Sequence, residues 1–182
     1  MSHLYFVQMS GAPGSGKTTV ATAVAPHLKA VILDHDVTKT ALLDSGIALS
    51  ESGKGSYAVI KALVSTFLAQ GHNIILDSPC FYEELLTFGL EVAEKYGAQY
   101  RYIECVTNDL TILDARLKMR PTLRSQVRSI KQPPIDIINE SYRGEAVFER
   151  WIAEMKRPLT HYLQLDTTRP VAVCVNEAVS FC

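Results

Sequence analysis

The sequence of 182 residues predicts an α/β fold of three layers, in which a five-stranded, mostly parallel sheet lies between helices on both faces. The first reason is that short apolar runs alternate with segments of helical pattern, which is typical of βαβ units. The second is that these runs are apolar at consecutive positions, as expected of strands that helices cover on both faces. Length and ordinary globular composition indicate a single domain over residues 1–182.

The predicted elements follow in order along the chain. The strands are "LYFVQMS", "AVILD", "NIILD", "YRYIECV" and "YLQLD". Helices are predicted from about Lys17, over about 37–44 and 54–70, in "YEELLTFGLEVAEKYG", from about Asp109 to Arg120, near 144–157, and at the end of the chain. Two stretches, 44–56 and 120–136, have the composition of loops, and Pro121 blocks continuation of the helix before it. Long loops in a compact domain are often functional, so we expect both beside the ligand site.

The composition narrows the partners and the compartment. A formal net charge of -1 gives no overall attraction to nucleic acid or to an anionic membrane. No apolar run is long enough to span a bilayer, and the start of the chain lacks the pattern of a secretory signal. The four cysteines, Cys80, Cys105, Cys174 and Cys182, form no C-x-x-C pair and are predicted to be free thiols. We therefore expect a cytoplasmic protein with no membrane partner, and the sequence leaves its oligomeric state open.

The stretch "SGAPGSGKTT" follows the first strand and opens the first helix. Gly11, Gly16, Lys17 and Thr18 fit the pattern G-x-x-x-x-G-K-[ST], which is the phosphate-binding P-loop. Glycines let the backbone turn its N–H groups inward, so that they hold anionic oxygens at the start of a helix. The predicted nucleotide-binding residues are Gly11, Ala12, Pro13, Gly14, Ser15, Gly16, Lys17, Thr18 and Thr19. Lys17 is also a predicted catalytic residue, because its ammonium group should bridge the β- and γ-phosphates.

With this motif and this order of elements, the chain resembles the P-loop kinases, a group that includes adenylate kinase, gluconate kinase, chloramphenicol phosphotransferase and zeta-toxin kinases. The resemblance covers most of the chain, but "GAPGSGKT" is its one specific motif. It implies a P-loop NTPase fold with a short lid, and ATP and Mg²⁺ as cofactors. It also implies transfer of the γ-phosphate of ATP to a hydroxyl group of a small molecule.

The resemblance points next to the acidic end of the second strand, in "VILDHDVTK". Asp36 with Lys39 fits a D-x-x-[RK] pattern, in which the aspartate of similar kinases orients the acceptor hydroxyl and accepts its proton. Asp34 lies two positions earlier and is the competing candidate. The structural alternative is that Asp36 caps the next helix.

The third strand ends in "NIILDSP", where Asp77 resembles the carboxylate that helps to hold magnesium beside the P-loop hydroxyl of Thr18. Magnesium keeps several waters and needs few protein ligands, so one hydroxyl and one carboxylate suffice. The alternative is that Asp77 helps to start a helix in which Ser78 is the cap and Pro79 the first residue.

The stretch "RLKMRPTLRSQVR" holds four arginines at intervals of four, Arg116, Arg120, Arg124 and Arg128. Similar kinases carry arginines in a mobile lid that neutralises charge on the transferred phosphoryl group, so we name residues 120–136 the lid segment. Arg120 and Arg116 are the predicted catalytic arginines, ahead of Arg124. The alternative is a solvated basic face, although the stretch itself contains no acidic residue. "LDTTRP" could line the adenine pocket or form an ordinary turn, and Tyr57 and Lys54 could contact the substrate from a loop.

Other functions share the P-loop. A GTP-driven switch needs D-x-x-G and N-K-x-D, but the corresponding stretches read "DSPC" and "TNDL". An ATP-hydrolysing regulatory protein usually needs additional elements that bridge subunits. A 5′-hydroxyl nucleic-acid kinase could use the basic residues between Arg116 and Lys131, yet no aromatic residue lies among them to stack on bases. We therefore favour a small-molecule acceptor over nucleic acid.

Overall fold

A computed structural model describes residues 3–107, 109–137 and 142–182. Its strands are β1 (Tyr5–Ser10), β2 (Ala30–Asp34), β3 (Asn73–Asp77), β4 (Gln99–Val106) and β5 (Tyr162–Asp166). Its helices are α1 (Lys17–Leu28), α2 (His35–Asp44), α3 (Leu49–Ala69), α4 (Glu83–Tyr96), α5 (Leu110–Met119), α6 (Gly144–Glu154) and α7 (Val171–Phe181). None of these helices is long and apolar enough to cross a membrane.

The five strands form one sheet in the order β2-β3-β1-β4-β5, and every pairing is parallel. The predicted fold class is therefore confirmed, with a sheet that is parallel throughout. β1 lies at the centre, and the chain moves first to one side of it and then to the other. Such a reversal opens a crevice at the carboxyl ends of the strands, which is where α/β sheets bind ligands. The P-loop leaves β1 at this edge.

Alternate residues of the central strands pack into two cores on opposite faces of the sheet. Phe6 and Ile74 contribute to the core beneath α3 and α4. Val7 and Ile75 belong to the core beneath α1 and α7. All four side chains are completely buried, which explains why the strands are apolar at consecutive positions.

The predicted loop over 44–56 is wrong for most of its length, because α3 begins at Leu49. Gly53 and Gly55 lie inside this helix, where glycine is unfavourable. The helix forms because Ser52, Ser56 and the apolar residues that follow at the same spacing bury one continuous face. Tertiary packing thus outweighs the weak helical preference of "SESGKGS".

The lid segment follows the prediction, since residues 121–136 contain no helix or named strand. The segment is nevertheless anchored. The backbone N–H of Ile130 donates a 2.8 Å hydrogen bond to Asp114 on α5. At its other side, Ser125 Oγ donates a 3.0 Å hydrogen bond to the carbonyl oxygen of Asp36 on α2. The segment therefore bridges the helices on either side of the cleft.

Candidate active site

The phosphate-binding turn lies between β1 and α1, at the carboxyl end of the central strand. Gly11 has a φ of 129°, and a Cβ at this residue would lie 2.3 Å from the carbonyl oxygen of Cys105, so only glycine fits. Gly16, with a φ of 94°, directly precedes α1. Backbone N–H groups at such a helix start bind anions. The structure thus places residues 11–19 where nucleotide binding requires them, and that binding stays a prediction.

Two threonines at the ends of neighbouring strands and an arginine on α5 support the P-loop. Thr167, just after β5, donates a 2.6 Å hydrogen bond from Oγ1 to the carbonyl oxygen of Ser15. Its hydroxyl lies 2.7 Å from that of Thr107, just after β4. Arg116 Nη2 donates a 2.6 Å hydrogen bond to the carbonyl oxygen of Thr167. Arg116 lies on α5, within the predicted helix, and its contacts with Gly14 and Thr167 support the P-loop. Its catalytic role stays a prediction.

Lys17 is the first residue of α1, and its side chain folds back over the P-loop. Nζ donates hydrogen bonds of 2.9 Å and 3.1 Å to the carbonyl oxygens of Gly11 and Ala12. Burial lowers the pKa of Lys17, and the negative charges of Asp77 and Asp36 oppose that shift. The ammonium group therefore lies between the predicted phosphate site and both predicted carboxylates.

Asp77 ends β3 and is buried, and its Oδ2 atom has no hydrogen-bond partner among the described residues. Burial raises the pKa of Asp77 to about 6, while the charge of Lys17 and the hydroxyl of Thr18 oppose the shift. A buried carboxylate oxygen without a partner, beside a threonine hydroxyl, suits a hard cation that takes few protein ligands. The pair therefore fits magnesium. The alternative role in helix capping is wrong, because α4 begins only at Glu83.

The structure gives different roles to Asp34, the last residue of β2, and Asp36, the second residue of α2. Asp34 is the N-cap of α2, because its Oδ1 accepts hydrogen bonds from the backbone N–H groups of Asp36 (2.7 Å) and Val37 (3.1 Å). Asp36 lies in the first turn of the helix, so the alternative that it caps the helix is wrong. Its carboxylate is free of capping and lines the cleft. Because Asp34 is engaged in capping and Asp36 is not, the structure favours Asp36 over Asp34 as the residue that faces the acceptor.

A cluster that sequence reasoning missed surrounds Asp36. His35 Nδ1 lies 3.6 Å from Asp36 Oδ1, and its Nε2 lies 3.0 Å from Ser56 Oγ. Gln126 of the lid segment donates a 2.8 Å hydrogen bond from Nε2 to Asp36 Oδ2. Burial acts to raise the pKa of Asp36, but His35 and Gln126, with the charge of Lys17, outweigh it and lower the pKa to about 2. Asp36 is therefore a firmly ionised carboxylate.

Arg120 ends α5 and lines the same cleft. Its Nη2 makes a long 3.4 Å hydrogen bond to the carbonyl oxygen of Val127, and its buried Nε has no partner among the described residues. Burial lowers the pKa of Arg120, and Asp36, Asp34 and Asp77 oppose the shift. The guanidinium group thus keeps donors available close to the carboxylates, as a phosphate ligand requires.

The other basic residues of this region are largely paired with acidic groups, which come from the same helix or from distant parts of the chain. Arg124 binds Asp136 through two hydrogen bonds of 2.7 Å and 3.0 Å, and it binds Asp44 at 3.1 Å. Lys118 pairs with Asp114 at 2.5 Å. The stretch itself contains no acidic residue, but folding brings Asp44 of α2 and Asp136 of the lid segment against Arg124 and so balances its charge.

One cleft of about 1120 Å³ is lined by the principal side chains of the site, which are Lys17, Asp36, Asp77, Arg116, Arg120 and Gln126. The P-loop, Arg116 and the residues after β5 form one part of its wall. Asp36, Lys39 and the exposed face of α3 form another, with Lys54 and Tyr57 on a helix and not on the predicted loop. From "LDTTRP", Thr167 and Arg169 also line the cleft. The arrangement can hold a nucleotide on one side and a second ligand on the other.

Comparison with known proteins agrees with this geometry. Residues 6–132 match the AAA domain family, which is more than half of the chain. The chain belongs to this family. No curated protein sequence matches it.

Solved structures share the fold of this AAA domain. A protein from Chloroflexus aurantiacus j-10-fl, provisionally described as a kinase, has a TM-score of 0.73 at 20% identity, with 98% of each chain covered. The APS kinase of Mycobacterium tuberculosis in complex with AMPPNP and APS has a TM-score of 0.64 at 16% identity, over 100% of this chain and 98% of that one. A gluconokinase from Sinorhizobium meliloti 1021 has a TM-score of 0.61 at 14% identity, over 100% and 93%. The predicted resemblance to P-loop kinases is confirmed at the level of the fold.

Two of the missed residues of this AAA domain left a local signal. His35 and Thr107 each directly follow a strand, as Thr167 of "LDTTRP" also does, at the edge where a parallel sheet binds its ligand. A polar residue at that position is a site candidate on spacing alone. Gln126 left no such signal, because its partner Asp36 lies 90 residues away.

Proposed function

We propose that the protein is an ATP-dependent kinase that transfers the γ-phosphate of ATP to a hydroxyl group of a small molecule. The observation that carries the proposal is the position of the ionised Asp36 carboxylate, which faces the same cleft as the P-loop lysine Lys17. The solved structures with a similar fold support the proposal, since they include a gluconokinase and an APS kinase bound to AMPPNP and APS.

In this proposal each residue has one task. The P-loop N–H groups and Lys17 hold the phosphates, and Arg120 neutralises charge on the transferred group. Thr18 and Asp77 would hold magnesium, which would offset the negative charge of the phosphates. Asp36 accepts a hydrogen bond from the acceptor hydroxyl and so aims its oxygen at the γ-phosphorus.

The low pKa of Asp36 refines this task. A carboxylate whose pKa is about 2 is a weak base, so it does not deprotonate a free alcohol before transfer begins. Phosphoryl transfer passes through a loose transition state in which the nucleophile needs little activation. Asp36 therefore acts first by orientation, and it takes the proton as the new bond forms.

A small acceptor is favoured over a polynucleotide. Arg124 and Lys118 are each paired with carboxylates, and Lys131 has Glu145 at 3.8 Å, so much of the basic cluster is neutralised. An ATP-hydrolysing regulator is the remaining alternative. It is less favoured because Asp36 and the face of α3 enclose space beyond the phosphate site that hydrolysis alone does not need.

The test measures ADP release from ATP and magnesium with and without a panel of hydroxyl compounds, and follows the phosphorylated product by mass spectrometry. The proposal expects slow release without an acceptor and faster, stoichiometric product formation with one. Oligonucleotides with 5′-hydroxyl ends belong in the panel. Their phosphorylation, with affinity that falls with a log–log salt slope of about 0.7 per contacted phosphate, would establish the nucleic-acid alternative. Equal ADP release under all conditions, with no product, would establish the hydrolase.

A further inference from the structure

His35, the first residue of α2, is a buried histidine whose ring is fixed on three sides. The imidazole stacks on Tyr57, with ring centres 4.2 Å apart and planes at 26°. Its Nε2 atom lies 3.0 Å from Ser56 Oγ on α3, and its Nδ1 atom lies 3.6 Å from Asp36 Oδ1. The ring therefore has one orientation, with Nδ1 toward the carboxylate that faces the acceptor.

The hydrogen bonds of Ser56 indicate which imidazole nitrogen carries the proton. A serine hydroxyl has one proton to donate and lone pairs that accept. Ser56 Oγ donates to the carbonyl oxygen of Gly53 at 2.8 Å, just as Ser52 Oγ, one turn earlier, donates to that of Leu49 at 2.9 Å. Because this bond uses the proton of Ser56, Nε2 of His35 donates to Ser56 Oγ. Neutral imidazole has a single N–H, so Nδ1 carries a lone pair.

That lone pair faces a carboxylate oxygen in a buried position. Nδ1 has no hydrogen-bond partner among the described residues, since 3.6 Å to Asp36 Oδ1 is too long for a hydrogen bond. The other carboxylate oxygen, Oδ2, already accepts from Gln126. Two acceptor atoms that face each other attract only when a proton lies between them. Catalytic hydrogen bonds are often long without substrate and shorten in the complex.

Asp36 needs a partner of this kind. A carboxylate whose pKa is about 2 does not keep the proton of an alcohol at neutral pH. Imidazole is the side chain that gains and loses a proton near neutral pH. A proton that moves from Oδ1 of Asp36 to Nδ1 of His35 leaves the carboxylate ionised, beside an imidazolium of opposite charge.

We propose that His35 is the second proton acceptor of the reaction, which receives at Nδ1 the proton that the acceptor hydroxyl gives to Asp36. This inference rests on the proposed kinase activity. The hydroxyl oxygen bonds to the γ-phosphorus, the bond from phosphorus to the β,γ-bridging oxygen breaks, and ADP leaves. The hydroxyl proton passes to Asp36 Oδ1, then to His35 Nδ1, and finally to water in the cleft, which His35 also lines. His35 acts through Asp36 and is a positioning residue.

The proposal implies an acid limit to activity. His35 must enter the reaction with Nδ1 unprotonated, so kcat should fall at low pH as the imidazole becomes charged. The two groups interact, so this limit belongs to the pair. The other charged or titratable side chains near the pair come from several elements, and they are Asp34, Lys39, Tyr57, Lys17, Asp77 and Arg120. The variants below leave all six unchanged, so a shift in the limit reports the His35 pair.

His35→Asn tests the inference in the full chain with ATP and magnesium, and with water, glycerol and adenosine as acceptors. Asparagine keeps a polar group near the position of Nδ1 but takes up no proton. We expect kcat to fall by about tenfold or more while KM for ATP stays within about twofold. The acid limb should move to lower pH, where Asp36 alone is protonated. His27→Asn is the matched control, because His27 is an exposed residue of α1 that does not line the cleft.

Ser56→Ala keeps His35 and tests the tautomer, should His35→Asn fail to fold. Without Ser56 Oγ, the Nε2 proton loses its acceptor, so the neutral ring moves its proton to Nδ1 and donates to Asp36. Nδ1 is then occupied before the reaction, and kcat should fall by about tenfold. Ser52→Ala is the control, because Ser52 is an equally buried serine of α3 with the same kind of bond to the helix backbone.

NMR of the ¹⁵N-labelled imidazole reads the tautomer without ATP or acceptor. At about pH 8, where imidazole is mostly neutral, the proton of His35 should lie on Nε2 in the parent protein and on Nδ1 in Ser56→Ala. The His35 signals are identified by their loss in His35→Asn. A merely structural role for His35 would change thermal stability but would leave the acid limb of the pH–rate profile in place.

The outcomes separate the inference from the proposed function. A neutral parent protein with its proton on Nδ1 would overturn the inference whatever the kinetics. Phosphorylation of glycerol or adenosine with the same acid limb in His35→Asn as in the parent would also overturn it and leave the kinase standing. Transfer of phosphate to water alone, unaffected by either alcohol, would remove the proposed kinase and the inference together.

Discussion

Gln126 Nε2 lies 2.8 Å from Asp36 Oδ2, and this hydrogen bond joins the lid segment to the carboxylate that faces the acceptor. The neighbouring residue is joined to α2 as well, since the backbone N–H of Ser125 donates a 3.2 Å hydrogen bond to Thr40 Oγ1. The position of the lid and the orientation of Asp36 are therefore coupled. A change in the lid should alter chemistry at α2 without a change in the P-loop.

Gln126→Leu tests that coupling. We expect kcat/KM for the acceptor to fall by about tenfold, because Asp36 loses a hydrogen bond that fixes it, while ATP affinity stays within about twofold. Since Gln126 helps to hold the pKa of Asp36 at about 2, its loss should raise that pKa and move the acid limb of the pH–rate profile upward. Thr122→Ala, at an exposed position of the same segment, is the control. An unchanged acid limb would show that the two residues are not coupled.

Lys17→Ala removes the ammonium group that lies between the P-loop and the two carboxylates. Loss of such a preorganised charge should lower kcat by about 10² to 10³. The measurement is ATP turnover by the variant and by the parent protein at a saturating concentration of acceptor. Activity within about twofold of the parent protein would contradict the role of Lys17.

Asp36→Asn and Asp34→Asn form a matched pair two residues apart. Asp36→Asn keeps the shape of the side chain but removes its charge, so nucleotide affinity should survive while kcat falls. Asp34→Asn should leave kcat nearly unchanged, because asparagine caps a helix about as well as aspartate does. The pair is compared by steady-state kinetics and thermal unfolding. A crippled Asp34→Asn beside a normal Asp36→Asn would reverse the assignment.

Asp77→Asn should stabilise the protein in the absence of magnesium and nucleotide. Burial raises the pKa of Asp77 from 3.8 to about 6. At neutral pH the ionised carboxylate therefore lowers the free energy of unfolding, because it is less stable in the folded state than in the unfolded state. At about 1.4 kcal/mol per pKa unit, this penalty amounts to as much as about 3 kcal/mol. It is fully present above about pH 6 and fades toward pH 4, so the gain from Asp77→Asn should shrink over that range.

Urea unfolding at pH 7 and at pH 4.5 measures the effect. The variant should be more stable than the parent at pH 7, and the difference should fall to about a third of that size at pH 4.5. Equal free energies of unfolding for the variant and the parent at both pH values would mean that the ionised Asp77 carboxylate does not destabilise the folded state. The same variant should lose magnesium-dependent turnover. Asp77 would then be a residue that is needed for function and lowers the stability of the protein.

The sequence predicted the parts of this protein that local patterns determine. The strands, the P-loop and the start of α1 at Lys17 follow from apolar runs and glycine spacing within a few residues. The start of α3 at Leu49 did not, because burial of its face against the sheet outweighs the two glycines. The pairing of Arg124 with Asp44 could not be predicted either, since these residues are 80 positions apart. What the sequence leaves open is the set of contacts that only the finished fold creates.

The last prediction separates the two arginines of α5. Arg120 has free donors beside the carboxylates, so Arg120→Ala should lower kcat by about 10² to 10³ with little change in ATP affinity. Arg116 instead holds the carbonyl oxygen of Thr167, which in turn holds the P-loop at Ser15. Arg116→Ala should therefore weaken ATP binding by about tenfold and lower the melting temperature, with a smaller loss in kcat at saturating ATP.

Lys118→Ala is the control for the arginine pair, because Lys118 lies on the exposed side of the same helix and pairs with Asp114. Titration with a non-hydrolysable ATP analogue gives the affinities, and turnover at saturating ATP gives kcat. If Arg116→Ala lowers kcat as far as Arg120→Ala does while it leaves ATP affinity intact, both arginines act on the transferred group. If only Arg116→Ala weakens the analogue, its guanidinium group serves the P-loop, because binding energy lost before the reaction begins appears in affinity and not in kcat.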